Sequence, residues 1–170
     1  MNRSPRDKII LFLAEGFGSG RIPFAPGTWG TLVGFLWIWL LLLPASIWIY
    51  LTGIVAGFFL AVWIGGEAEK ILGLTDPGRI VIDEIVAMPL VFLGAFLLHL
   101  PSVPTFSSYL KPGKWHLPLA AFLLFRVFDI IKPFGIKKIQ HLPGGWGLAV
   151  DDYLAALVGL PLLILIERFI

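Results

Sequence analysis

The sequence predicts an all-α fold, a polytopic membrane bundle of about five helices with a loop rich in glycine and proline near its N-terminus. Two observations on composition support this. Of the 170 residues, 58% are hydrophobic and only 14% are charged, whereas soluble domains carry about 25% charged residues. The mean hydropathy is +0.89. A third observation is that long apolar runs alternate with Gly/Pro breaks. We therefore interpret residues 1–170 as a single integral membrane domain.

The order of the elements follows from the apolar runs and from the residues that interrupt them. A short apolar segment comes first, at residues 9–14, and is typical of a helix at the membrane interface. Five longer runs predict helices at residues 29–43, 46–64, 84–100, 117–131 and 150–167. Several of these are shorter than the roughly 20 residues that span a bilayer. We therefore expect that some of them do not cross it completely.

The loop between the first apolar segment and the first long helix contains a glycine cluster, followed by Pro23 and by Pro26-Gly27. Glycine and proline interrupt it throughout, so it cannot be a regular helix. A loop of this length inside a compact domain is more often functional than not. Its hydroxyls at Ser19 and Thr28, together with uncovered backbone N–H groups, are suited to binding an oxyanion or a phosphate. The alternative is an ordinary turn, since Gly-Pro turns are common between membrane segments. A dinucleotide-binding function is excluded because no β-strand precedes the glycines.

Carboxylates lie at the ends of three different apolar runs. Asp83 and Glu84 begin one, Asp129 is near the end of another, and Asp151 and Asp152 open the last. An ionised carboxylate is costly in hydrocarbon, so each is expected to face the protein interior with a cation or a donor as its partner. Acids from three segments predict a divalent-metal site between helices. The alternative for each pair is a charge or N-cap at a helix N-terminus.

Arg126, Asp129 and Lys132 recur every three residues, which places them on one face of a helix. One interpretation is an intrahelical ion-pair ladder. The other assigns Asp129 to a metal and leaves Arg126 and Lys132 to bind the oxygens of an anionic ligand.

The distribution of Lys and Arg predicts the orientation in the membrane. With five crossings, nine cations fall on one side: Arg3, Arg6, Lys8, Arg21, Lys70, Arg79, Lys132, Lys137 and Lys138. Three fall on the other, Lys111, Lys114 and Arg168, and Arg126 lies within the fourth helix. The positive-inside rule then places the N-terminus, the glycine loop and the carboxylates on the cytoplasmic side. The net charge of +2 gives no indication of nucleic-acid binding.

Taken in order, the motifs resemble the phosphatidylglycerophosphatase A family from about residue 12 to residue 160. They are GFGSG at 16–20, PGTWG at 26–30, IDE at 82–84, FRVFD at 125–129, and GGWG at 144–147 followed by Asp151 and Asp152. The resemblance implies a magnesium-dependent phosphatase of the bacterial inner membrane that converts phosphatidylglycerophosphate to phosphatidylglycerol. The signature motifs of other phosphatase classes are absent from this sequence, and the absence of cysteine excludes a phosphocysteine intermediate.

For that chemistry we expect one or two Mg²⁺ ions to be held by carboxylate oxygens. The predicted ligands are Asp83, Glu84, Asp129, Asp151 and Asp152, with Arg126, Lys132, Ser19 and Thr28 binding the phosphoryl group. The nucleophile is either a water activated by the cation or an aspartate carboxylate. A membrane transporter or ion pathway is the alternative function, since it also places carboxylates within membrane helices. A scaffold whose charges only pair with one another is the third class.

Overall fold

The computed structural model describes residues 3–133, 136, 139 and 142–169. In this part of the chain it contains six α-helices, short 3-10 segments and no β-strand. The helices are α1 (Pro5–Ala14), α2 (Pro26–Leu42), α3 (Ile47–Leu72), α4 (Ile82–Phe92), α5 (His116–Ile131) and α6 (Trp146–Phe169). The predicted all-α class is confirmed. Lys137 and Lys138, counted above for the orientation, lie outside the described residues.

Two of the predicted C-terminal helix ends are wrong. The run expected to end at residue 64 continues through Gly65 and Gly66 to Leu72, because these glycines are packing contacts and not a break. The helix expected over 84–100 ends at Phe92 and is followed by 3-10 turns.

Helix α4 is the centre of the bundle. It contacts α2, α3, α5 and α6, and most of its residues are buried. The surrounding helices face outward with large apolar side chains, such as Trp48, Val55 and Trp63 on α3. This pattern is typical of a lipid-facing surface around a packed interior. The carboxylates at the start of α4 therefore lie inside the protein and not against lipid.

Two helices in the described part of the chain, α3 and α6, are long and apolar enough to cross a membrane, and α2 is a shorter apolar helix. This supports association with a membrane. Helix α4 has 11 residues, and at about 1.5 Å per residue it covers roughly half of a bilayer core. The topology with five crossings and the cytoplasmic orientation stay predictions.

The close contact between α3 and the start of α6 provides a test of the fold. A Cβ added at Gly66 would lie 2.5 Å from the carbonyl oxygen of Gly144. Because that neighbour is backbone, Gly66→Ala must move the chain, and we expect a loss of about 1–3 kcal/mol in the free energy of unfolding. Thermal unfolding in detergent measures it. Gly78→Ala is the control, since its Cβ would have no neighbour within 4 Å among the described residues. Equal melting temperatures for the two variants would contradict this packing.

Candidate active site

Three carboxylates from two helices meet at one end of the bundle. Asp83 and Glu84 lie in the first turn of α4, and Asp152 lies on α6, which packs against α4. One oxygen from each side chain is within 4.8 Å of the others. Asp83 and Asp152 are only 5% and 3% exposed. We call Asp83, Glu84 and Asp152 the carboxylate triad.

The oxygens of the triad are unusually short of partners. Asp83 Oδ1, Glu84 Oε2 and Asp152 Oδ2 are buried without a hydrogen-bond partner among the described residues. Buried polar atoms in proteins are nearly always hydrogen-bonded, and three ionised carboxylates this close repel one another. A divalent cation bound by the three carboxylates would provide a partner for these oxygens and would offset the repulsion. Oxygen ligands are the kind that Mg²⁺ prefers, so the donor set fits such an ion.

A layer of ion pairs lies beside the triad. Arg126 Nη1 is 2.6 Å from Asp129 Oδ2 and 3.8 Å from Glu84 Oε1. Lys132 Nζ is 3.8 Å from Asp129 Oδ1 and also bonds Asp151 Oδ2. The ion-pair ladder that the three-residue spacing suggested is therefore present on α5. Asp129 and Asp151 face these cations, and the structure does not group them with the triad. Their roles as metal ligands stay predictions.

Lys132 is positioned by the end of α5. It follows Ile131 as the C-cap, with a left-handed backbone at φ 47°, and this directs its chain towards α6. Burial alone would lower the pKa of Lys132, but its hydrogen bond to Asp151 and the nearby acids raise that pKa above its usual value. Lys132 therefore stays charged over the physiological range.

The first turn of α2 lies directly against the site. A Cβ at Gly27 would be 2.3 Å from Glu84 Oε1 and 3.0 Å from Arg126 Nη1. Helix α2 begins at Pro26, because proline favours the first helical turn. Thr28, expected in a loop, is therefore helical, and its N–H donates to Ala25 O at 2.9 Å.

The glycine cluster is organised differently from the prediction. The N–H groups of Gly18 and Gly20 both donate to the carbonyl of Glu15, at 3.0 and 2.9 Å. The Ser19 hydroxyl donates to Gly16 O at 2.8 Å. The expected cradle of free backbone N–H groups is thus wrong for Gly18, Gly20 and Thr28, since their hydrogen bonds are made locally. The side chains of Ser19 and Thr28 as phosphate ligands stay predictions.

Sequence reasoning assigned no role to Glu15. The structure buries it completely, at 0% exposure, and pairs it with Arg21 and Arg79. A signal was available, because an acid that directly follows an apolar segment needs a cationic partner. The identity of the cationic partners was not predictable, because it depends on the path of the chain between residues 15 and 79.

The family comparison bears on what this site does. The family model described as Phosphatidylglycerophosphatase A matches residues 12–167 of the chain. The chain belongs to this family. The resemblance seen in the motifs is thereby confirmed, and so is the prediction of a phosphatase.

Curated relatives cover most of the chain. Proteins named Phosphatidylglycerophosphatase A from Haemophilus influenzae and Escherichia coli are 39% and 31% identical to it. The matches cover 91% and 86% of this chain, and 89% and 76% of the relatives. A Bacteroides thetaiotaomicron protein named "Putative phosphatidylinositol-3-phosphatase" is 37% identical, over 95% of both chains. No solved structure shows a significant match.

The contact at Gly27 predicts a variant that loses activity and keeps its fold. In Gly27→Ala the new methyl group displaces the ends of two flexible side chains, Glu84 and Arg126, so the backbone can stay in place. We expect turnover to fall at least about tenfold, because small misplacements of reacting groups are costly. Phosphate release and thermal unfolding should be measured together. Unchanged turnover would show that Glu84 and Arg126 need no fixed position.

Proposed function

We propose that the protein hydrolyses the terminal phosphate of phosphatidylglycerophosphate, giving phosphatidylglycerol and phosphate, and that it requires Mg²⁺. The observation that carries the proposal is the carboxylate triad, of which three buried oxygens have no hydrogen-bond partner in the part of the chain that the structure describes. Membership in the phosphatidylglycerophosphatase A family supports phosphatidylglycerophosphate as the substrate. The relatives so named support the same reaction.

In this proposal the triad holds the cation, and Arg126 and Lys132 bind the phosphoryl oxygens. A bound divalent cation would supply positive charge where the phosphoryl group gathers negative charge in the transition state. Arg126 retains a buried Nε without a partner in the described part of the chain. Asp129 and Asp151 keep Arg126 and Lys132 in place before substrate arrives. A positioned site of this kind needs little reorganisation during the reaction.

The placement of the acids favours chemistry on a lipid headgroup over transport. Asp83 and Glu84 lie at the start of α4, Asp129 near the end of α5, and Asp152 near the start of α6. They gather at one end of the bundle, whereas an ion pathway places charged groups through the depth of the membrane. We place this end at the cytoplasmic face, as the Lys and Arg distribution predicts. The membrane would be the bacterial inner membrane that the family resemblance implies.

A second candidate substrate is suggested by the Bacteroides relative, whose name refers to a phosphoinositide. Phosphatidylinositol 3-phosphate shares two features with phosphatidylglycerophosphate. Each has a phosphomonoester for hydrolysis and a phosphodiester that links the headgroup to diacylglycerol. The same carboxylate triad would serve either lipid, and the headgroup between the two phosphates is what differs.

The test is phosphate release by the purified full-length protein in mixed micelles, with Mg²⁺ and with EDTA. Phosphatidylglycerophosphate, phosphatidylinositol 3-phosphate and phosphatidic acid should be compared at equal surface concentration. We expect metal-dependent release with the highest kcat/KM on phosphatidylglycerophosphate. Higher kcat/KM on the phosphoinositide would favour the second substrate. No release from any lipid by folded protein would contradict the proposed function.

A further inference from the structure

Two arginines share one buried acid in the segment that leads into α4. The Arg21 Nε donates to Glu15 Oε2 at 2.5 Å, and Arg79 Nη2 donates to Glu15 Oε1. Glu15 has a side-chain exposure of 0%, whereas Arg21 and Arg79 are 58% and 39% exposed. One carboxylate balances only one of the two guanidinium charges. The cluster therefore presents a net positive charge at the surface.

This cluster is fixed to the segment that leads to Asp83 and Glu84. The Val81 N–H donates to Ala14 O at 2.9 Å, and a Cβ at Gly20 would lie 2.1 Å from Arg79 O. Asp83 is four positions after Arg79 in the sequence, so their Cα atoms are at most about 14 Å apart. Two anionic groups of one lipid headgroup can therefore reach the arginines and the triad together.

Both arginines keep donors for a ligand. A guanidinium has five N–H donors in a planar fork that matches phosphate oxygens. The hydrogen bonds to Glu15 engage Nε of Arg21 and Nη2 of Arg79. Arg79 Nε is buried without a hydrogen-bond partner among the described residues. Glu15 thus orients the two side chains without using up their hydrogen-bonding capacity.

Two exposed aromatic rings lie close to Arg21 in the sequence. Phe17 and Phe24 flank Arg21 and are 55% and 81% exposed. Exposed Phe side chains together with basic residues are typical of segments that lie at the boundary between headgroups and acyl chains.

We infer that Arg21 and Arg79, held by Glu15, bind the phosphodiester of the lipid substrate while its phosphomonoester occupies the site at the triad. This inference rests on the proposed function and specifies how the headgroup is recognised. The diester is common to phosphatidylglycerophosphate and phosphatidylinositol 3-phosphate, and phosphatidic acid lacks it. The arginine cluster therefore selects lipids whose hydrolysed phosphate lies one headgroup beyond a diester.

The test uses Arg21→Gln and Arg79→Gln in the full-length protein in mixed micelles. We expect KM for phosphatidylglycerophosphate to rise about tenfold in each, with kcat within about twofold, because diester binding is equal in the ground and transition states. The inhibition constant of phosphatidylglycerol, which keeps the diester, should rise by the same factor. That of inorganic phosphate, which binds at the triad, should stay unchanged. An equal rise for inorganic phosphate, or no change in KM, would overturn the inference.

Arg6→Gln is the matched control. Arg6 also pairs with a glutamate, Glu67, at 2.9 Å, and is 72% exposed. Its replacement removes the same charge from a surface ion pair. An equal rise in KM for Arg6→Gln would show general attraction to anionic micelles and would also overturn the inference.

Direct binding separates failure of this inference from failure of the proposed function. If the wild-type protein releases no phosphate from any lipid, equilibrium binding of phosphatidylglycerol in neutral micelles still compares the wild type with Arg21→Gln and Arg79→Gln. Binding about tenfold weaker in both variants would support the diester site. Equal binding would refute it.

Discussion

Replacing Asp152 by asparagine is expected to lower phosphate release by about a hundred- to a thousandfold, which is the usual cost of removing one electrostatic stabiliser of a transition state. The Asp152 carboxylate belongs to the triad and is 3% exposed. The asparagine side chain has nearly the shape of the aspartate side chain but lacks the negative charge that binds a divalent cation. Asp83→Asn should behave in the same way, because Asp83 contributes an equivalent oxygen.

The same variant should be more stable than the wild type when metal is absent. In EDTA the triad consists of carboxylates packed within 4.8 Å of one another, and neutralising one of them relieves repulsion. With Mg²⁺ the order should reverse, since binding to the folded state stabilises the wild type. Melting temperatures in detergent, with Mg²⁺ and with EDTA, measure both effects. Glu67→Gln is the control, because Glu67 lies in a surface ion pair of a kind that contributes little. A magnesium-induced shift that survives in Asp152→Asn would remove Asp152 from the metal site.

The membership of the triad was largely predictable from the sequence. Asp83, Glu84 and Asp152 stand at the ends of apolar runs, and burial of an ionised group requires a partner. The division of the acids into two sets was not predictable. Asp151 and Asp152 are adjacent, and only the packing of α5 against α6 directs Asp151 to Lys132 while Asp152 joins Asp83. The periodicity of a sequence shows which residues share one face of a helix, but it does not show which other helix packs against that face.

The helix boundaries show the same limit. The second long helix was predicted to end at residue 64, yet Gly65 and Gly66 both lie inside α3 where α6 approaches closely. The predicted end at residue 131 agrees with α5. The first long helix was predicted to begin at residue 29, but α2 begins at Pro26, and this brings Gly27 against Glu84. A small residue in a helix is a sign either of a break or of a contact, and tertiary packing decides between them.

In EDTA, Asp151→Asn is expected to change stability in the opposite direction from Asp152→Asn. The side chains of Asp151 and Lys132 are 3% and 15% exposed, so the amide leaves a buried ammonium whose remaining acid, Asp129, is 3.8 Å away. Breaking a buried pair in this way costs about 3–5 kcal/mol. Thermal unfolding in detergent should show a lower melting temperature both with Mg²⁺ and with EDTA.

The magnesium response of Asp151→Asn decides between the two roles proposed for Asp151. If Asp151 only positions Lys132, the variant melts lower but keeps the full upward shift on adding Mg²⁺. If it is a metal ligand, as the sequence predicted, that shift is lost as it is in Asp152→Asn. The double variant Lys132→Met/Asp151→Asn provides the control. Removing both charges avoids an unpaired buried ion, so part of the lost stability should return. Additive losses in the double variant would show that the pair is not coupled and that Asp151 acts elsewhere.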